Sequence, residues 1–337
     1  MKHHRFKKND FYGFISLSSN KALRKYSYCI IFIAILVIFV SGVVAGKNLD
    51  TKELPVIYEP TGSALPVNEP SEFGTLKTIS VQNSEVGYGD LILVNYNYMV
   101  AYEEPTLVPM IENSEYNYSI SDYNVSLNTQ SFKYADKLLG DFESQNGGTS
   151  DLNVSCGYRS KQTQNDLYTT KLQNDGKEEA DKWIAKAGYS EHQTGYAFDL
   201  CLIIDGYTYD FTGENEYKWI NDNSAKYGFI LRYPQDKVDI THIEYEPWHF
   251  RYVGVPHATY IQTNNICFEE YIDLIHTKSI SNPLIIDCDS SKYAVYYTPK
   301  SNATDKGDFT DIQVPQNYEY TISGDNVSGF IVTVKLS

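Results

Sequence analysis

A chain of 337 residues is long enough for one large domain with attachments, or for two domains. Its 42% hydrophobic and 21% charged content is that of a folded chain and argues against disorder as the general state. The net charge of −15 is unevenly placed: residues 1–27 hold seven Lys/Arg against Asp10 alone, and the remainder carries 21 basic and 42 acidic residues. So acidic a surface argues against nucleic acid as a partner, because phosphate binding needs clustered Lys/Arg.

In chain order, residues 1–27 read as a basic cytoplasmic tail. Residues 28–46, Tyr28 to Gly46, are uncharged and rich in Ile, Val and Phe. At about 1.5 Å per residue such a run just crosses a hydrocarbon core. The basic flank before it predicts a single-pass transmembrane helix in the cell membrane, with everything after Lys47 extracytoplasmic. The rival reading is a cleaved signal peptide, with Val43 and Ala45 before the cut; it delivers the same region to the same side. Residues 47–75 contain Pro55, Pro60, Pro66 and Pro70 and read as an extended linker.

Asp90 to Val94 predicts a short buried strand, and Glu112 to Asn128 a polar surface loop. Ser131 to Glu143 changes period: Phe132, Ala135, Leu138, Leu139 and Phe142 share one helical face, ended by Gly147 and Gly148. Leu152 to Cys156 predicts a strand, Gly157-Tyr158-Arg159-Ser160 a turn, and Lys161 to Leu172 a helix. Phe198 to Ile204 predicts a strand running into a hairpin at Asp205-Gly206. Glu214 to Tyr227 reads as an amphipathic helix, and Phe229 to Leu231 and Ile243 to Val253 as further strands. Short strands interleaved with helices, without regular βαβ spacing, predict an α+β domain with a mostly antiparallel sheet. From about Lys278 the sequence alternates in the β manner over Pro283 to Thr298 and Gln313 to Val334, so residues 278–337 are expected to form a small β-rich C-terminal appendage. Cys156, Cys201, Cys267 and Cys288 form no C-x-x-C pair, which disfavours a thiolate zinc site and leaves free thiols and a bridge both open.

The chemistry begins at Ser190-Glu191-His192-Gln193-Thr194-Gly195-Tyr196-Ala197-Phe198-Asp199. Gly195 lets the backbone turn sharply between an imidazole and a carboxylate, so both can aim at one point. Glu246 and His249 follow in Glu246-Pro247-Trp248-His249. Two His and one Asp are the N/O ligand set of a catalytic zinc, which keeps a further position open, and Glu246 beside the last ligand is a candidate general base. His242, His257 and His276 lack matching partners and read as structural or surface residues.

These motifs resemble the zinc D-alanyl-D-alanine carboxypeptidases of the VanY type, which share a fold with the zinc-binding domain of Hedgehog proteins. The likeness runs through Gly157 to Ser160, Lys226 to Pro234 and Arg251 to Gly254, and covers residues 76–277. The resemblance implies a Hedgehog/DD-peptidase-like zinc domain. It implies that His192, Asp199 and His249 hold Zn2+, that Glu246 is the base, and that Arg159 binds substrate and steadies the oxyanion. It places Ser190 and Gln164 at the terminal D-Ala carboxylate. The expected substrate is a peptidoglycan stem peptide or lipid-linked precursor ending in D-Ala-D-Ala, so the enzyme would act in cell-wall remodelling or glycopeptide resistance. The alternatives are a D,D-dipeptidase, an L,D-acting or endopeptidase relative, and a non-catalytic wall-binding or sensing module.

Overall fold

The computed structural model describes residues 73–102, 104–148, 151–289, 291–302 and 307–337. The expected tail, membrane run and most of the linker lie outside these residues; among the described residues no helix is long and apolar enough to cross a membrane.

The centre is a six-stranded sheet with the order β3 (Ser119–Ile120), β5 (Leu152–Cys156), β6 (Ala197–Ile204), β9 (His249–Tyr252) and β8 (Phe229–Leu231), with β7 (Tyr207–Asp210) also pairing β6. Every pairing in it is antiparallel except β3 with β5. The β6–β7 hairpin turns at Asp205 and Gly206, both at positive φ, as a two-residue primed turn requires. Strand periodicity sorts the faces. Phe198 and Leu200 of β6 and Phe250 and Tyr252 of β9 enter one core with Ala135, Leu138, Leu139 and Phe142 of the helix Thr129–Gln145. Asp199, His249 and Arg251 fall at the alternate positions. Phe198 and Phe250 are fully buried, so truncating either to alanine should cost about 3–5 kcal/mol.

A second sheet, β10 (Leu284–Cys288), β11 (Ser291–Pro299), β14 (Gly329–Lys335) and β13 (Glu319–Gly324) in that order, builds the C-terminal region. Val295 and Ile331 pack toward the helices Val255–Asn264 and Phe268–His276 through Ala258, Ile261, Phe268 and Ile272. Ala294, Tyr296, Phe330 and Val332, at alternate positions, join a separate core with Ile79, Val81, Ile312 and Val314. Those last four belong to β1 (Leu76–Gln82) and β12 (Phe309–Pro315), which pair antiparallel. The C-terminal region therefore takes in a strand from the beginning of the span expected to be the zinc domain.

Several local expectations are corrected. Asp90 to Val94 is not a strand: Leu91 to Val94 are buried, but the Asp90 and Ile92 carbonyls accept from the Arg251 guanidinium, and the Leu91 and Leu93 amides donate to Ser323 and Asp325. Glu112 to Asn128 includes β3 and β4 (Ser126–Asn128). Glu214 to Tyr227 is two 3-10 turns flanking the helix Lys218–Asn223. The strand expected from Ile243 begins only at His249, because Glu246 to Trp248 form a turn closed by the His249 amide on the Glu246 carbonyl.

Candidate active site

Three strands set the positions of the predicted ligands. Asp199 on central β6 lies opposite His249 on β9 and opposite Cys156 on β5, so the three form one rung of the sheet. The β5–β6 register shifts between Val154 and Cys156, a bulge at the edge of the site. His192 comes from the 3-10 turn Glu191–Thr194, which ends at Gly195 with φ +73°. A Cβ at Gly195 would stand 2.9 Å from both the Asn128 amide nitrogen and a Leu107 methyl, so both the conformation and the space demand glycine. Two bonds hold the turn from outside: the Gly195 carbonyl accepts from the Asn128 amide and the Ser131 hydroxyl.

His192 is fixed at both ends. Its carbonyl accepts from the Arg159 amide, and its Nδ1 lies 2.7 Å from the Gly157 carbonyl. Since a carbonyl only accepts, Nδ1 donates there, which leaves Nε2, 3.2 Å from Asp199 Oδ2, to hold either a second proton or a cation. His249 approaches the same carboxylate from the other side, with Nδ1 3.1 Å from Asp199 Oδ1 and 3.4 Å from Glu246 Oε2. Asp199 Oδ1 is buried with no hydrogen-bond partner among the described residues. Zinc with Zn–N distances near ~2.0–2.1 Å and tetrahedral angles sets donors about 3.3 Å apart. His192 Nε2 and His249 Nδ1 each stand near that spacing from an Asp199 oxygen, Oδ2 for the first and Oδ1 for the second, and a buried carboxylate oxygen without a hydrogen-bond partner is what a cation would satisfy. The group Cys156, His192 and Asp199 has its ligand atoms all within 4.8 Å of one another. Its thiol, however, meets His192 at Nδ1, 3.9 Å away, the nitrogen already committed to Gly157.

Charge in the site is dense. Burial works against an ionised Asp199, but His192 and His249 hold its carboxyl well below the usual carboxylate range. Burial likewise opposes a charged His192, and the Asp199 carboxylate overrides it, raising the imidazole to about 10. Glu246 goes the other way: burial pushes it up to about 7, with Asp199 adding repulsion and His249 pulling down. A carboxylate so poised exchanges a proton near neutral pH. Arg159 completes the set. Its Nη2 donates to Cys156 Sγ at 3.2 Å and lies 3.7 Å from Asp199 Oδ2, and its Nη1 donates to Gln164 Oε1 at 2.8 Å.

A profile of the VanY D-alanyl-D-alanine carboxypeptidases matches residues 125–255, which span this whole constellation. A D-alanyl-D-alanine carboxypeptidase of Enterococcus faecium is 34% identical over 260 residues, covering 76% of this chain and 78% of the relative. The chain belongs to the VanY family. Another relative, the bifunctional D-Ala-D-Ala dipeptidase and D-Ala-D-Ala carboxypeptidase VanXYC of Enterococcus gallinarum, is 35% identical over 162 residues, covering 46% of this chain and 82% of that protein. The solved structure of the vancomycin-resistance D,D-dipeptidase VanXYg with a D-Ala-D-Ala phosphinate analogue superposes with a TM-score of 0.67 at 33% identity, covering 78% of this chain and all of that one. The part of the chain alike to that structure is thus longer than the stretch 125–255 matched by the family profile.

Most residues singled out by motif converge. His192, Asp199, His249, Glu246 and Arg159 converge around the Asp199 carboxylate. Ser190 lies two residues before His192, is 4% exposed, and makes no side-chain cap on the turn it precedes. Gln164 is 1% exposed, and both ends of its amide are engaged, Oε1 by Arg159 and Nε2 by the Ala185 carbonyl. Besides the place at the substrate carboxylate that the resemblance implies for it, the side chain holds Arg159. Three residues with no role assigned from sequence also belong here. Cys156 touches Arg159 and His192, while Glu191 and Arg251 lie beneath His249. Arg251 was legible as the residue two beyond His249 on a strand, hence on the same face. His242, His257 and His276 stay outside; His257 is bonded to Tyr271 and Thr333, and His276 pairs with Asp325. Cys156, Cys201, Cys267 and Cys288 are free thiols.

Proposed function

We propose that the chain is a zinc D,D-carboxypeptidase that removes the terminal D-Ala from peptidoglycan stem peptides or their lipid-linked precursors. The observation that carries this reading is the placement of Glu246 Oε2 at 3.4 Å from His249 Nδ1, beside the Asp199 carboxylate that His192, His249 and Arg159 all approach. A binding module has no use for a buried carboxylate raised to about 7 at that point.

In this reading His192 Nε2, Asp199 and His249 Nδ1 hold the ion. Bound Zn2+ supplies Lewis acidity toward water and the scissile carbonyl. Glu246 Oε2 accepts a proton from the attacking water and returns it to the departing D-Ala nitrogen, so the carboxylate ends each cycle as it began. The Arg159 guanidinium, held by Gln164 and Cys156, offers a fixed positive charge where negative charge develops on the carbonyl oxygen. Ser190, two residues before His192, is assigned to the substrate carboxylate. Burial of the whole set strengthens each of these interactions by excluding water. The uncharged run at 28–46 supports a membrane-anchored enzyme with the catalytic region facing the wall.

A dipeptidase activity at the same site is the second reading, favoured by the likeness to VanXYg and VanXYC. Release of D-Ala from a pentapeptide, compared with cleavage of free D-Ala-D-Ala, separates the two. A chelator should abolish pentapeptide cleavage and added zinc restore it. Zinc binding without release from any stem peptide would leave only a wall-binding module.

A further inference from the structure

Glu191 lies next to His192 in sequence but reaches away from it. Its Oε1 accepts from Arg232 Nε at 2.8 Å and from Arg251 Nη1 at 2.9 Å. Its Oε2 faces His249 Nε2 at 3.6 Å, and neither of these buried atoms has a hydrogen-bond partner among the described residues. Glu191, Arg232 and Arg251 are all shut off from solvent. The guanidinium groups have other duties besides: Arg232 makes two bonds to Glu269, and Arg251 donates to the Asp90, Ile92 and Tyr252 carbonyls. Two arginines meet two glutamates, so the cluster is neutral with Glu191 ionised. Charge balance requires only Oε1 near the arginines; it does not explain why Oε2 is turned to the imidazole. Two buried polar atoms left unbonded would each cost about 1–3 kcal/mol. A closure of roughly 0.6 Å brings them into ordinary hydrogen-bond range.

We propose that Glu191 is a positioning residue for the metal site, its Oε2 accepting the Nε2 proton of His249 and so fixing the tautomer whose Nδ1 lone pair faces Asp199 and Glu246. The assignment rests on the metal reading given above. It makes the two histidine ligands alike: each has its outward nitrogen secured, His192 by the Gly157 carbonyl and His249 by a carboxylate. Partners of this kind orient a metal-binding imidazole and raise its basicity. Through Arg232 and Glu269 the same carboxylate ties His249 to the helix Phe268–His276, and through Arg251 to residues 90–92.

The test uses the full chain, with zinc affinity measured by competition against a chelator and His249 followed by nitrogen-15 NMR in the zinc-loaded protein. Wild type should show a slowly exchanging proton on His249 Nε2. Glu191→Gln should bind zinc about 10–100-fold more weakly, lose the slow exchange, and keep the circular dichroism of the chelated wild type. Glu191→Asp keeps the charge between the arginines but withdraws it from the imidazole, so it should weaken zinc in the same way and serves if the glutamine variant fails to fold. Unaltered zinc affinity in either folded variant, or a His249 proton found on Nδ1 in wild type, overturns the role of Glu191 while leaving the metal site standing. Wild type that binds no zinc overturns both.

Discussion

The catalytic sheet and the C-terminal packing each bury a histidine completely, and the two titrate in opposite directions. His192 sits against the Asp199 carboxylate, which overrides the burial penalty and raises it to about 10. His257 sits between the Tyr271 hydroxyl and Thr333, and burial without a charged partner lowers it to about 3. Burial disfavours a charged imidazole in both places; the difference is whether an anion is buried with it. The catalytic region buries acids and bases together, at a cost in solvation that only chemistry or metal binding repays. The C-terminal region buries a neutral polar link, which contributes to holding helix and sheet together. Removing a group from the first region should therefore cost rate and little stability, and removing one from the second should do the reverse.

The largest expected effect is Glu246→Ala. D-Ala release should fall by roughly 10³–10⁴-fold if Glu246 carries the proton in both directions, given the usual 10²–10⁴ span for general acid–base groups. The thermal midpoint should stay level or rise, since an alanine removes a carboxylate that burial already pushes up to about 7. A variant that keeps wild-type turnover, with zinc content confirmed, would remove Glu246 from the mechanism.

Arg159→Lys comes next, with a loss of roughly 10²–10³-fold in kcat from the weakened charge opposite the scissile carbonyl. A lysine keeps the charge but cannot reproduce the two-sided grip on Gln164 and Cys156. Zinc content should not change, because Arg159 is no ligand. Loss confined to KM would instead mean that Arg159 holds the substrate equally in ground and transition states.

How much of this was legible in the chain differs along the same line. His192 and Asp199 were visible as an imidazole and a carboxylate at a short offset about a glycine, and Glu246 and His249 as a carboxylate three residues before an imidazole; the glycine requirement at Gly195 is borne out by its φ and by the crowding at Asn128. The helix Thr129–Gln145 and the hairpin at Asp205-Gly206 followed from local periodicity and turn chemistry. What stayed hidden depends on long-range pairing. Nothing near Leu76 announces a partner at Pro315, yet β1 and β12 pair along their full length. The apolar run Leu91 to Val94 has the composition of a strand, but Arg251 takes two carbonyls beside it that a neighbouring strand would need. Phe268, Tyr271, Ile272 and Ile275 do carry helical spacing, and all four are buried on one face of the helix Phe268–His276. The hold of Gln164 on the Arg159 guanidinium, five residues away, was not read from the sequence, where only the family resemblance singled Gln164 out.

The smallest effect concerns the C-terminal side of the comparison and is read as stability against pH. His257 has an ordinary value of 6.5 when unfolded and about 3 when folded. Between those values the unfolded chain binds a proton that the folded chain does not, so stability contributed by neutral His257 is full above about pH 6.5 and is lost as pH falls toward 3. From pH 7 to pH 5 that loss amounts to about 2 kcal/mol. Urea unfolding of wild type and His257→Gln at both pH values isolates it, because the catalytic carboxylates and imidazoles are common to the two proteins and cancel in the difference. The variant should be less stable at pH 7, where it loses the fitted links to Tyr271 and Thr333, and the gap should narrow by about 2 kcal/mol at pH 5. Parallel pH dependences in the two proteins would mean that His257 takes up its proton in the folded state after all, and that the C-terminal packing has a charged partner for it. D-Ala release per folded molecule should be the same in both proteins at pH 7, since the side-chain bonds of His257 go to the helix Phe268–His276 and to β14, away from the Asp199 carboxylate.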